Sequence, residues 1–326
     1  MARPAARPLS ILVAVAIAGC GTAAADRHHA GSRHHSRSAD ALAARQPLPA
    51  ATVRRLPPGV FYLMSGDPSG LSYAVWQVSA ARGQHLIQPI GPGPGNVVRA
   101  FSAARAGIVA SVARAGIDYL ARLTRHGPYW VPHGRPAVHG FDPTVTSSGE
   151  LLYDTPPGSR SQWAIWARRS FTAAPARIYQ QRAPIGGIAA GPRGQIATWR
   201  SSYSSSPPRH PPPVLIISAT GHVRRLATGY PDIGNLVWGP RAPAIAVQST
   251  TLAVELLFAS GRRLALPKGW YPYTWSPSGR TLLLLGAGPA LGTWSPRAPG
   301  RVHVIGQTSP HVGIGQVNWL SKAAKL

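Results

Sequence analysis

A chain of 326 residues with 44% apolar residues, 34 Lys and Arg against nine Asp and Glu, and one Cys suits one large domain or two small ones with a packed core. The single Cys excludes an internal disulfide framework, and nine carboxylates leave little material for paired-acid catalysis or oxygen-ligand metal sites. The basic residues are nearly all Arg, with Lys only at 268, 322 and 325, on a background rich in Ala, Gly and Pro, so part of the formal charge of +25 reflects composition bias and not a ligand.

At the N-terminus Arg3 and Arg7 precede an apolar run at 9–18 (LSILVAVAIA) that ends in small residues. At about 1.5 Å per residue a helix of this length crosses only about half of a bilayer core, so the segment reads as an export signal and not as a membrane span. Ile17-Ala18-Gly19-Cys20 resembles the lipobox of bacterial lipoproteins. The resemblance implies a signal peptide at 1–19, cleavage before Cys20 and acylation of that Cys, with palmitate-type chains tying the protein to the outer side of the cell membrane. Residues 20–50 follow without apolar periodicity and read as a spacer. Two His pairs lie in it, His28-His29 and His34-His35. Imidazoles are metal-ligand types, but nothing beside them orients the rings, so a solvated basic linker is the favoured reading and no cofactor is expected.

From residue 51 onward short strands alternate with turns. The clearest unit is 271–286 (YPYTWSPSGRTLLLLG): Trp275 closes a strand, Ser276-Pro277-Ser278-Gly279 supplies the turn, and residues 281–285 form a buried strand. Related units begin at Phe101, Phe141, Ala190, Trp238 and Trp319, so the anchors at 101, 141, 190, 238, 275 and 319 recur every 37 to 49 residues. Each interval also carries a second alternating hairpin, such as VLIISATGHVRRLA, which makes four strands per repeat. The order of anchor, turn, strand, loop and hairpin resembles the repeats of TolB-like and WD-type β-propellers across about residues 51–326. Ser278 stands where that motif usually has Asp. The expectation is an all-β propeller of four-stranded antiparallel blades, six in number with seven left open. The C-terminal strand at 315–320 completes a first blade begun at 60–64, because that pairing removes the open edges. The run at 91–95 (GPGPG) lacks the Lys-Ser/Thr of a phosphate loop and reads as a linker between blades.

Candidate functional residues follow from this scaffold. Trp76, Trp163, Trp166, Trp199, Trp238, Trp275 and Trp319 fall on predicted strands and read as core, whereas Trp130, Trp270 and Trp294 lie near Pro and Gly, where an exposed ring could meet a ligand. Neighbours on a strand point to opposite faces, so of Trp270 and Tyr271 at most one faces that ligand. Asp142, Glu150 and Asp154 are the one cluster of acids, and His126, His133 and His139 flank Asp142. His133, His139 and Asp142 are therefore the candidates for catalysis, although their spacing matches no established signature. Beyond residue 50 there are 28 Lys and Arg against seven acids, a formal +21. Arg168-Arg169, Arg224-Arg225 and Arg262-Arg263 recur in three outer hairpins and would form a basic rim.

The favoured reading is a membrane-anchored, monomeric, extracytoplasmic scaffold that binds another envelope protein or an anionic polymer, with no nucleic-acid partner because of the export signal. The alternative is a propeller lyase or hydrolase acting on an envelope polymer. Resemblance to TolB-like proteins implies protein–protein contact. The small α/β domain that precedes the propeller in that family has no counterpart in this sequence, so the family's partner is not expected to carry over.

Overall fold

A computed structural model describes residues 46–66, 73–88, 97–114, 117–124, 127–130, 140–155, 162–201 and 211–326. Cys20, the four His of the spacer, the run at 91–95, His126, His133 and His139 lie outside the described residues. A short helix, α1 (Ala50–Arg54), precedes the strands β1 (Val60–Gly66), β2 (Tyr73–Ser79) and β3 (Gly83–Gln88). Next come β4 (Val97–Ala104), β5 (Gly107–Arg114), β6 (Ile117–Thr124) and β7 (Gly127–Trp130). The third set is β8 (Phe141–Val145), β9 (Leu151–Thr155), β10 (Trp163–Arg168) and β11 (Ala176–Gln181). The fourth is β12 (Ala189–Ala190), β13 (Ile196–Trp199), β14 (Val214–Ile217) and β15 (Val223–Leu226). The fifth is β16 (Asn235–Val237), β17 (Ala244–Gln248), β18 (Val254–Phe258) and β19 (Arg263–Ala265). Strands β20 (Trp270–Trp275), β21 (Leu282–Gly286), β22 (Ala290–Trp294) and β23 (Val302–Gln307) make the sixth set, and β24 (Gly313–Leu320) ends the series.

These strands form six four-stranded antiparallel sheets, the blades of a β-propeller. Five blades are sequential meanders, and the remaining one, the first, closes the ring. There β24 pairs with β1, Trp319 opposite Phe61 and Val317 opposite Leu63, and the first blade has the order β24-β1-β2-β3. All six sequence anchors sit on or directly after the innermost strand of their blade, at β4, β8, β12, β16, β20 and β24.

Both faces of a blade are covered by its neighbours, which is why the strands read as continuous apolar runs instead of alternating ones. Along β1, Phe61 and Leu63 pack toward the sixth blade with Leu283, Leu291 and Trp319, while Tyr62 and Met64 pack toward the second with Phe101 and Ile108. Side chains alternate across a strand, so one strand feeds two seams. Close approach at the seams selects small residues. A Cβ on Gly191 would lie 2.3 Å from the ring of Trp238 in the next blade. Gly279, in the Ser276–Gly279 turn, combines φ +72 with a space in which a Cβ would meet the Arg241 carbonyl oxygen at 2.0 Å. The turn itself is held by Gly279 N–H donating to the Ser276 carbonyl at 2.8 Å and Thr281 N–H donating to Ser276 Oγ at 3.1 Å.

Packing begins before the expected end of the spacer at residue 50. Leu48 is 1% exposed and lies with Val53 and Leu56 of the α1 segment in the core between the sixth and first blades. Thr52 Oγ1 donates to the Gln307 carbonyl at 2.8 Å and accepts from the Gln307 N–H at 3.0 Å. The helix therefore packs into the seam beside the β24–β1 junction, where the first and last strands of the propeller meet. Among the described residues no helix is long and apolar enough to cross a membrane.

Candidate functional site: the central channel

The six inner strands enclose a channel of about 1770 Å3. An inner strand is paired on one side only, so its channel-side N–H and C=O groups need partners from elsewhere. Side chains of adjacent blades supply them. Gln316 and Asn318 of β24 accept from the N–H groups of Phe101 and Ala103 in β4, at 2.8 and 3.3 Å. Ser102 of β4 accepts from the Val145 N–H of β8 at 2.9 Å, and the Thr144 hydroxyl donates to the Ile188 carbonyl at 3.0 Å. Tyr273 of β20 donates to the Ile314 carbonyl of β24. Polar groups consequently stitch the wall from blade to blade, and Trp199, Trp238, Tyr271 and Trp275 lie among its apolar lining.

The two ends of the channel differ in charge. Arg105, Arg241 and Lys322 border the end where inner strands turn back into their blades, whereas Arg99, Asp118 and Asp142 border the other. Asp142, second residue of β8, has φ 42 and is half-buried. Burial, reinforced by the charge of Asp118, pushes its carboxyl up to about 6. Asp118 is raised by burial and partly restored by Arg99, whose Nε lies 3.1 Å from its carboxylate. Asp154 stands behind the wall, 1% exposed, and is raised well above the usual carboxylate range by burial and then by the charge of Asp142. A carboxyl near 6 in an open channel can exchange a proton around neutral pH. Among the described residues no group of three or more His, Cys, Asp or Glu could hold a metal ion.

The expected acid cluster is thus partly reassembled. Asp142 and Asp154 come together, Glu150 goes to the opposite end of the channel in the β8–β9 turn, and Asp118 joins from the preceding blade. Nothing local in the sequence marks Asp118; only the wrapping of the second blade against the third brings it there.

Two other expectations are corrected. Trp294 is not a loop aromatic: it lies on β22, 1% exposed, with Nε1–H donating to the Pro299 carbonyl at 2.8 Å. Arg168 does not belong to a surface rim. It is 1% exposed, and its Nη1 donates to the Ala173 carbonyl at 3.0 Å, pinning its own hairpin. Trp270 is half-buried and packs against Gly292, while its neighbour Tyr271 lines the channel, so the pair splits between faces as strand geometry requires. Trp130 ends β7. Arg169, Arg224, Arg225, Arg262 and Arg263 are exposed. Within that group Arg224 donates to the Ala259 carbonyl at 2.7 Å, Arg262 lies over the Phe258 ring, and Arg263 comes within 4.0 Å of Glu255. Of the Trp expected in the core, 76, 199, 275 and 319 are buried, and 163, 166 and 238 are half-buried.

No family model and no curated protein matches this chain. Solved structures do. TolB from Acinetobacter baumannii is 12% identical with a TM-score of 0.56, the match covering 80% of this chain and 66% of that one, just under two thirds of its length. The tricorn protease is 10% identical with a TM-score of 0.54, covering 79% of this chain and 30% of that one. At these identities the likeness establishes a TolB-like, six-bladed propeller fold and leaves activity open.

Proposed function

We propose that the protein is a lipid-anchored, extracytoplasmic lipoprotein whose propeller is a binding scaffold in the cell envelope, with the central channel as its binding site. The observation that carries the reading is the channel itself: about 1770 Å3, open, with a wall of amides, hydroxyls and aromatic rings. Such a surface offers hydrogen bonds and stacking to a partner. The lipobox-like Ile17-Ala18-Gly19-Cys20 behind its apolar run supports the anchor. Each acyl methylene buried in the membrane contributes about 0.8 kcal/mol, so acylated Cys20 would hold a basic domain at the lipid surface. The test is metabolic labelling with a palmitate analogue followed by crosslinking in intact cells. The wild-type chain is expected to take up label and capture a channel-dependent partner, and Cys20→Ser to lose the label. A labelled Cys20→Ser chain, or a partner that is still captured when Trp238 and Tyr271 are both replaced by Ala, would end this reading.

One observation favours a second reading, an enzyme acting on an envelope polymer. Asp142, held near 6 and facing the channel, has the proton affinity a general acid or base needs near neutral pH. A lyase or hydrolase activity on isolated wall polymer that disappears in Asp142→Asn while the fold persists would establish it.

A further inference from the structure

Each blade is a meander, so its first and third turns lie on one face of the wheel and its second turn on the other. On the first of these faces the inner turns carry Arg105 (β4–β5), Arg193 (β12–β13), Arg241 (β16–β17) and Arg280 (β20–β21), and Lys322 follows β24. All five are exposed, and among the described residues none of the five side chains has a hydrogen-bond or ion-pair partner. The outer turns of the same face add exposed Arg82, Arg169, Arg262 and Arg297. Glu150 is the one acidic side chain there among the described residues; Asp118, Asp142, Asp154, Asp232 and Glu255 all lie toward the opposite face. The distribution is therefore polarised along the wheel's axis, which neither net charge nor composition bias requires.

We infer that the turn-side mouth of the channel binds a linear polyanion, a polymer carrying repeated phosphate or carboxylate groups. This deepens the scaffold reading and rests on it. Arg105, Arg241 and Lys322 belong to the channel wall, with Ser147 and Ser278 beside them as hydrogen-bond donors. That places the cations around a concave mouth that a chain can enter and a flat bilayer cannot. Arginine forks match phosphate and carboxylate oxygens, and the outer cations continue the positive surface across the face, suiting repeated charges more than a single small anion. At the far end Asp118 and Asp142 outnumber Arg99, so an anionic chain is drawn more strongly to the mouth of Arg105, Arg241 and Lys322.

The test uses the full-length Cys20→Ser chain, which has no acyl anchor, and measures binding of linear polyphosphate and of polygalacturonate by calorimetry at low and raised salt. Binding of either polymer is expected, weakening as salt rises, and the better ligand identifies phosphate or carboxylate as the recognised group. Replacing Arg105, Arg241 and Lys322 with Gln should weaken it by about 30-fold or more. Replacing Arg182, Arg200 and Lys268 with Gln, on the opposite side and equal in charge, should change it by less than about 3-fold. Equal losses in the two variants would reduce the effect to net charge and overturn the inference. So would failure to bind either polymer, or binding to phosphatidylglycerol vesicles alone. The reading as a scaffold would survive such a result if the Arg105/Arg241/Lys322 variant of the acylated protein still captured its crosslinked partner.

Discussion

The seam between the sixth and first blades and the seam between the second and third solve the same packing problem with different chemistry. The first is dry. Phe61 stacks on Trp319 with centroids 4.8 Å apart, Leu48, Val53 and Leu56 cap it, and Trp319 Nε1–H donates to the Pro58 carbonyl at 3.1 Å. The second has Ala104, Val109, Leu120, Val145, Leu151 and Tyr153 at its centre, but carries Asp118 and Asp142 with raised proton affinities at its channel end, and Arg122 over the ring of Phe171 farther out. Chain continuity explains the difference. Residues 308–312 carry the chain from the sixth blade into β24 as 131–140 carry it from the second into the third. At the closing seam, however, α1 and β1 come from the other end of the propeller sequence and meet β24 and the sixth blade through packing and hydrogen bonds alone, so the contacts there must offset the entropy of bringing those ends together. Costly polar groups are tolerated where the backbone already holds the partners together.

The largest test of this contrast is removal of residues 312–326. Loss of β24 exposes the edge of β1 and the Phe61 and Leu63 side chains, and the expected result is loss of cooperative unfolding across the whole propeller. A truncated chain with an unchanged melting temperature would show that the seam does not close the ring. Next in size is Trp319→Ala, which leaves a cavity against Phe61 and should cost about 3–5 kcal/mol in denaturant titration. In the third blade, Arg168→Ala should cost about 2–4 kcal/mol, because the Phe171 and Ala173 carbonyls it serves lose a charged donor in a buried place. Its exposed neighbour Arg169→Ala should stay within about 0.5 kcal/mol. Equal effects would place the two guanidiniums in equivalent surroundings.

The last effect is in the pH dependence. The folded Asp142 carboxyl, near 6, holds its proton more tightly than the unfolded chain does, with an ordinary value of 3.8. Between those values the folded state binds more protons, so stability falls as pH rises from about 4 to about 6 and stays lower above that. Asp142→Asn should flatten this fall without abolishing it, since Asp118 and Asp154 are shifted in the same direction. Melting temperatures at the two ends of the window check the sign; a wild-type protein that gains stability through it would contradict the assignment.

Repetition made the fold legible. An aromatic or small anchor, a tight turn and an apolar strand recur at intervals that suit one blade, and these features act within about ten residues of each other, where turn chemistry and alternation decide the outcome. Trp275, Ser276 and Gly279 are a case in which local signal and final structure coincide. The exposure of a long side chain was less legible. Arg168 and Arg169 look identical in sequence, yet one follows the strand's inward alternation and the other turns outward at its end. Trp294 looks like a loop residue because Gly292 and Pro296 flank it, and it lies in a strand core because β22, Gly292 included, pairs with β21, Trp294 opposite Leu282.

Sequence alone determined the unit: four short strands, both faces apolar, repeated until a ring could close. The tertiary structure decided which charges share a space. Meeting across a seam depends on which blade stacks against which, a relation that local propensities do not encode, and so Asp118 joined Asp142, Glu150 left it, and the unpaired cations of the inner turns gathered around one mouth of the channel.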